Sequence, residues 1–264
     1  YNNGLAEAKK DQKLIDILKT QIEQYLLKEL GVSFKKSSFK GLIGTTDYKS
    51  LTRWDPLYLS SKILINSNEK MVDMADVIAH FMVDTSGGNL RINTKEKPDE
   101  TFAYIGMEHV EKNTGKAYLQ HVSGKDVLSQ TICVPFGYII YGKLRPYLNK
   151  YWENKSAAAK NVVCSSEFFV FDTKNINRIY FMEILSSVII QEQLTHLYSG
   201  ARMPRITESD FMGLKLPLPP APKQQEMVDY ISEVRKKIST LQRQIPLHAQ
   251  QAKKEFEEAV FGEA

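Results

Sequence analysis

The chain has 264 residues, 42% of them hydrophobic and 25% charged, with a formal net charge of +4. That balance excludes a disordered chain, and no apolar run approaches the ~20 residues a bilayer-spanning helix needs. The length suits one large domain, or one domain with an appendage.

The first expected element is a helix from about Leu5 to Leu30. Ile15, Leu18, Ile22 and Tyr25 recur at 3-4-3 spacing, one narrow apolar stripe, and Gly31 supplies a C-terminal stop. A seam so narrow calls for a partner helix, so residues 1–31 are read as one arm of a coiled coil. Next comes a mixed domain over 46–222. Its strand-like runs are Phe102–Met107, Tyr138–Gly142 and Val162–Phe171, with turn chemistry at Ser86–Asn89, Asn113–Gly115 and Ser123–Gly124. A helix is expected over Asn177–Ser199, with Met182, Leu185 and Ile189 inward and Gly200 as terminator. Short strands with few helices indicate α+β with a mixed sheet rather than a doubly wound fold.

The last segment, 223–264, reads as one long helix. Met227, Ile231, Val234, Ile238, Leu241, Ile245, His248 and Ala252 follow a strict 4-3 alternation, continued by Phe256 and Ala259. At ~1.5 Å per residue such a helix is about 57 Å long, too long to bury its stripe on one small domain. It is expected to pair antiparallel with the N-terminal helix. Its distal turns outrun that partner and invite a second copy or another subunit. Pro246 should kink the rod or cap a second segment. Pro217, Pro219, Pro220 and Pro222 favour an extended connection that cannot join the preceding sheet or start the helix early. That arrangement is spacer architecture, fixing the angle between head and rod.

Reactive chemistry is sparse. Cys133 and Cys164 stand alone beside apolar residues and are expected as buried, reduced thiols. His80, His109, His121, His196 and His248 share no metal-ligand spacing, so neither a metal nor another cofactor is expected. Trp54–Tyr58, "WDPLY", resembles the base-holding loop of adenine-N6 methyltransferases, but Leu57 stands where that loop has its second proline. The glycines of "GLIG", Gly41 and Gly44, are too few for a cofactor loop. Ser165 and Ser166 lack a nucleophile-elbow context. The chain is therefore expected to recognise something rather than to catalyse. Between Tyr141 and Val163, Lys143, Arg145, Lys150, Lys155 and Lys160 face one acid, Glu153, and interleave with Tyr141, Tyr147, Tyr151 and Trp152. Basic residues among aromatics suit a phosphate-rich partner. The same pattern also describes a solvated face above a few core aromatics.

Several stretches resemble one family. "YGKLRPYLNK" (Tyr141–Lys150) followed by "CSSEFFVF" (Cys164–Phe171) is similar to the target-recognition domains of specificity subunits of type I restriction-modification systems. "AYIGMEHVEKNTGKA" (Ala103–Ala117) resembles an early strand and turn of that domain. "GARMPRITESDFMGLKLPLPPAPKQQEMV", from Gly200, resembles its closing segment. "YLLKELG" (Tyr25–Gly31) resembles the end of a conserved helix that precedes a second recognition domain. Such subunits carry two recognition domains and two helices in an antiparallel coiled coil. The resemblance therefore implies the C-terminal half of one, or a half-length version that dimerises. Tyr1 in place of Met fits a trimmed piece, with cytoplasmic residence expected. The alanine cluster of "SAAAK", Ser156–Lys160, has no physical account.

The resemblance implies a chain that reads one half-site of duplex DNA while separate modification and restriction subunits methylate and cut. Lys143, Arg145 and Lys150 are then candidate phosphate contacts, with Tyr147 and Asn149 beside them; Arg145 pairing with Glu167 inside the domain is the competing role. Arg202 and Arg205 flank Pro204 in a loop after a helix. Ser86, Asn89 and Arg91 form a polar loop with base-reading chemistry. The expected coiled-coil interface is Ile15, Leu18, Ile22 and Tyr25 against Met227, Ile231, Val234, Ile238, Leu241 and Ile245. Two other readings stay open: the recognition region of a fused restriction-methyltransferase, or a coiled-coil scaffold without DNA affinity.

Overall fold

The structure is a computed structural model that describes residues 2–36, 63–127, 130–156, 161–195, 197 and 203–262. Trp54–Tyr58, Gly41, Gly44, Ala157–Lys160, His196, Gly200 and Arg202 lie outside the described residues. The chain divides into two compact units: Tyr1–Val32 with Pro219–Ala264, and Ser33–Leu218.

The first unit is a helix pair, α1 (Asn2–Glu29) and, at the other end of the chain, Ala221–Phe261. They run antiparallel. The Lys223 ammonium donates to the Glu29 carbonyl, Tyr25 stacks on Tyr230 with centroids 4.0 Å apart, and His248 lies against Glu7 and Asp11. Ile15 and Ile22 are buried, as are Met227, Ile231, Val234 and Ile238; Leu18, Tyr25, Leu241 and Ile245 are half-buried. The seam is wider than the 3-4 stripe, because Leu26, Leu30 and Val228 are buried too. Toward the chain ends the helices approach closely. A Cβ on Gly4 would stand 2.7 Å from the His248 carbonyl oxygen, so only glycine fits there.

Two expectations about proline are corrected. Pro246 caps no second segment, since the long helix is continuous for 41 residues. Pro246 is exposed, and so is Gln242, whose carbonyl loses its helical donor, so water can replace the missing bond. Pro222 belongs to the first turn of the helix, where its absent N–H would have been unpaired anyway. Nor is Pro217 outside the sheets, as described next.

The second unit holds, in chain order, β1 (Ser33–Lys36), β2 (Ile63–Asn66), β3 (Met71–Asp73), the single turn α2 (Met74–Val77), β4 (Ile78–Phe81), β5 (Arg91–Ile92), β6 (Thr101–Ile105), β7 (Gln120–Ser123), β8 (Thr131–Cys133), β9 (Ile139–Gly142) and β10 (Tyr151–Glu153). β11 (Val162–Ser165), β12 (Phe168–Thr173), α3 (Arg178–Ser186), α4 (Val188–Leu194), α5 (Glu208–Met212) and β13 (Lys215–Pro217) complete it; the long C-terminal helix is α6. One sheet has the order β5-β8-β11-β6-β7 and is mixed, since β11 runs parallel to β6 and antiparallel to β8. A second, β10-β9-β12-β4, is antiparallel. β13 pairs with β3, placing Pro217 opposite Met71 in a two-stranded ladder. The fold is α+β.

The run Val162–Phe171, read as one strand, is two strands in different sheets. The chain turns between them at Ser166–Glu167, and the Ser165 hydroxyl accepts the Glu167 N–H at 3.3 Å. Turning there buries apolar residues on both sides: Val162, Cys164, Phe168 and Val170 share one core with Ile105, Ile132 and Ile140. Phe169 and Phe171 instead pack with Phe81 and the fully buried Phe211. The expected helix 177–199 is likewise split, because Ser187 caps α4 by accepting the Ile189 N–H while donating to the Ile184 carbonyl. Leu185 and Ile189 are fully buried, and Met182 is half-buried. Cys164 is buried and Cys133 partly so, and burial pushes both thiols up. Among the described residues no helix is long and apolar enough to cross a membrane, and no cluster of His, Cys, Asp and Glu could hold a metal.

Candidate nucleic-acid interface

The Ser166–Glu167 corner organises the cations. Arg205 donates two hydrogen bonds of 2.9 Å to the Glu167 carboxylate, a fork-on-carboxylate pair. This bond holds Glu167 below the usual carboxylate range, and Glu167 in turn raises Arg205. The backbone is tied in the same place. The Lys143 N–H donates to the Glu167 carbonyl, Arg205 bridges to Leu144, and the Arg145 N–H donates to the Pro204 carbonyl. Arg145 does not pair with Glu167; Arg205 occupies that carboxylate. Arg145 is exposed and left-handed, with φ 49°, where it starts the turn Pro146–Leu148.

Lys143 is half-buried, with its ammonium 5.3 Å from the centre of the Phe169 ring. Burial lowers its pKa and the Glu167 charge raises it, while Arg91 and Arg205 push it down further. Lys143 and Arg205 thus share the Glu167 carboxylate, and Arg91 acts on Lys143 from a distant part of the sequence. The polar loop before Arg91 is fixed internally: the Asp84 carboxylate accepts the N–H groups of Ser86 and Gly88, and Asn89 accepts that of Arg91. Ser86, Asn89 and Arg91 are all exposed.

Two candidates turn inward. Asn149 is 2% exposed and left-handed, and its side-chain amide donates to the Ser186 carbonyl at 2.8 Å. Lys150 donates to the Met107 carbonyl, and burial lowers its pKa, opposed by Glu108. Both brace the turn after β9 instead of presenting themselves to solvent. Tyr147, between them, is 46% exposed. Sequence reasoning did not single out Lys95, Gln130 or Ser166, which with Arg91 line an open groove of about 520 Å³. Only the pairing of β5 with β8 and of β8 with β11 brings them to one place.

The chain thus combines a helix pair with a mixed-sheet α+β unit that carries exposed cations, and residues 72–250 match the family described as type I restriction modification DNA specificity domain. The chain belongs to that family. It is 27% identical over 143 residues to the type I restriction enzyme EcoDI specificity subunit of Escherichia coli, a stretch covering 54% of this chain and 31% of that protein. Its fold is similar to the crystal structure of the HsdS subunit from Thermoanaerobacter tengcongensis, with TM-score 0.56, 19% identity, and coverage of 72% of this chain and 47% of that one. A second structure, described for complex assembly and conformational transition of the type I R-M system, gives TM-score 0.57 and 19% identity, covering 73% and 48%. The chain spans less than half the length of each of these relatives.

Proposed function

We propose that this chain is the DNA-reading part of a type I specificity subunit, in which the unit Ser33–Leu218 acts as target-recognition domain for one half of a bipartite site. The helix pair acts as spacer, so its length sets the distance between half-sites, as paired protein modules set half-site spacing generally. Methyl transfer and cleavage belong to separate modification and restriction subunits that the spacer positions. The chain contributes recognition without catalysis, in the cytoplasm where duplex DNA lies. The observation that carries this reading is the family match, which runs through the mixed unit and most of α6 rather than through the helices alone. The exposed Arg91, Arg145 and Arg205 of the mixed unit support it, because phosphate neutralisation supplies a large share of the affinity for DNA.

A finer part of the reading is self-association through the distal turns of α6. That helix has 41 residues against 28 in α1, and Leu247, Val260 and Phe261 are exposed. A second copy would supply the other half-site reader. The test of the whole reading is methylome sequencing of a host with and without this gene. Loss of one bipartite adenine-methylation motif is expected; an unchanged methylome in a host that makes the modification subunits would sink it.

A further inference from the structure

The groove beside the Ser166–Glu167 corner lies at one edge of the mixed sheet, because β5 is an edge strand. It is open, and its lining mixes polar and apolar surface, unlike the enclosed, largely apolar pockets that hold small ligands. Two of its hydrogen-bonding side chains are already engaged. Thr131 donates to the Ile92 carbonyl at 2.9 Å, and Asn93 accepts the Lys95 N–H while its amide donates to Glu96. Gln130 is different. Its backbone carbonyl accepts the Ser166 N–H at 3.1 Å, which fixes where the side chain starts, and its exposed amide has no protein partner among the described residues. Arg91 and Lys95 are exposed at the same groove and form no ion pair among the described residues.

We propose that this groove is where the unit reads duplex DNA, with Gln130 facing a base edge and Arg91 and Lys95 holding the phosphates on either side. The inference rests on the DNA-recognition reading above and deepens it by assigning the roles. The charge arrangement fits a polyanion. Arg91 and Arg205 both repel the Lys143 ammonium, and the Glu167 carboxylate that offsets this repulsion is shared with Arg205, so a phosphate adds a second counter-charge. The amide fits a base. Glutamine can donate to adenine N7 and accept from adenine N6 in the major groove, and a good bidentate pair discriminates by about tenfold or more. Cations that position and an amide that specifies are the two contact classes a sequence reader needs.

The test enriches a randomised duplex pool on the full chain, then measures salt-titrated binding of the selected duplex and of its single-base variants. For Arg91→Ala and Lys95→Ala the expected result is weaker binding to every duplex alike, with the salt slope reduced by about one for each phosphate no longer neutralised. Gln130→Ala is expected to keep the salt slope and to lose about tenfold discrimination at a single base pair. Thermal melts check that these exposed substitutions leave the fold intact, and the charge reversal Lys95→Glu gives a second, stronger reading of the same interaction. If the wild-type chain enriches a motif and all four variants bind as it does, the groove is not the reading surface, while the DNA reading stands. If the wild-type chain binds no duplex even at low salt, the DNA reading fails and takes this inference with it.

Discussion

The helix pair and the mixed unit use their polar groups in opposite ways. In the helix pair, buried side chains repeat along two rods, and polar contacts cross the seam at spaced points, among them Gln21 with Tyr230, Lys223 with the Glu29 carbonyl, and His248 with Glu7 and Asp11. Each one marks a register between rods. In the mixed unit, the pair that matters joins residues 38 apart, Glu167 and Arg205, and ties a strand corner to a loop rather than marking a repeat. The difference teaches where tolerance lies. The helix pair should accept surface change freely but not a change of register, whereas the mixed unit depends on non-local polar ties that hold its cations in place.

The largest effect is expected where neither unit can repack. Phe211→Ala removes a ring packed against Tyr141, Phe169 and Phe171 and should cost about 3–5 kcal/mol in denaturant unfolding. Ile231→Ala, in the helix seam, should cost about 2–4 kcal/mol. A loss below ~1 kcal/mol for Phe211→Ala would mean that the aromatic cluster is not the centre of the second sheet.

Next in size is the register mark. His248 Nδ1 lies 3.3 Å from an Asp11 carboxylate oxygen, and both atoms are buried without another hydrogen-bond partner. His248→Leu strands the Asp11 carboxylate and should cost about 1–3 kcal/mol, most of it recovered by a compensating Asp11→Leu. A double-mutant cycle on thermal melts measures the coupling; a coupling near zero would show that the seam ignores this pair.

Smaller again is the corner tie. Glu167→Gln should cost about 1 kcal/mol, since Arg205 is half exposed and solvent screens the pair. The folded-state pKa of Glu167 is lowered, so the pair stabilises the fold above the unfolded carboxylate value, and that contribution fades as pH falls through the folded value. Wild type should therefore lose stability on acidification more steeply than Glu167→Gln. Parallel acid limbs would remove the pair from the account. Smallest is the contrast between two neighbours. Lys150→Ala should cost about 1 kcal/mol through its tether to Met107 and leave the salt slope of DNA binding unchanged. Arg145→Ala should stay within about 0.5 kcal/mol in stability while lowering that slope by about one. Reversed behaviour would move the DNA surface to the far side of the turn.

Both long helices were legible because their information is local: threes and fours along one segment name the buried face, and Gly31 marks an end. Leu26, Leu30 and Val228 escaped that reading because a strict stripe understates how wide the buried face is. The corner at Ser166–Glu167 was not legible. A continuous apolar run looks the same whether it stays in one sheet or crosses between two, and only packing against Phe211 on one side and Ile132 on the other decides it. The candidate site was half legible. Lys143, Arg91 and Arg205 were picked by charge type, yet charge type also picked Lys150, which spends its ammonium on a backbone carbonyl. Gln130 carried no local signal, since its place is set by strand pairing far along the chain.

The central claim is that this chain holds duplex DNA through the exposed cations of the mixed unit. Salt-titrated binding of the full chain and of the double variant Arg91→Ala/Arg145→Ala to one duplex tests it most directly. The account predicts a linear fall of log affinity with log salt for the wild type, and a slope shallower by about two in the double variant with its melting temperature preserved. Equal affinity and equal slope for the two proteins would contradict it.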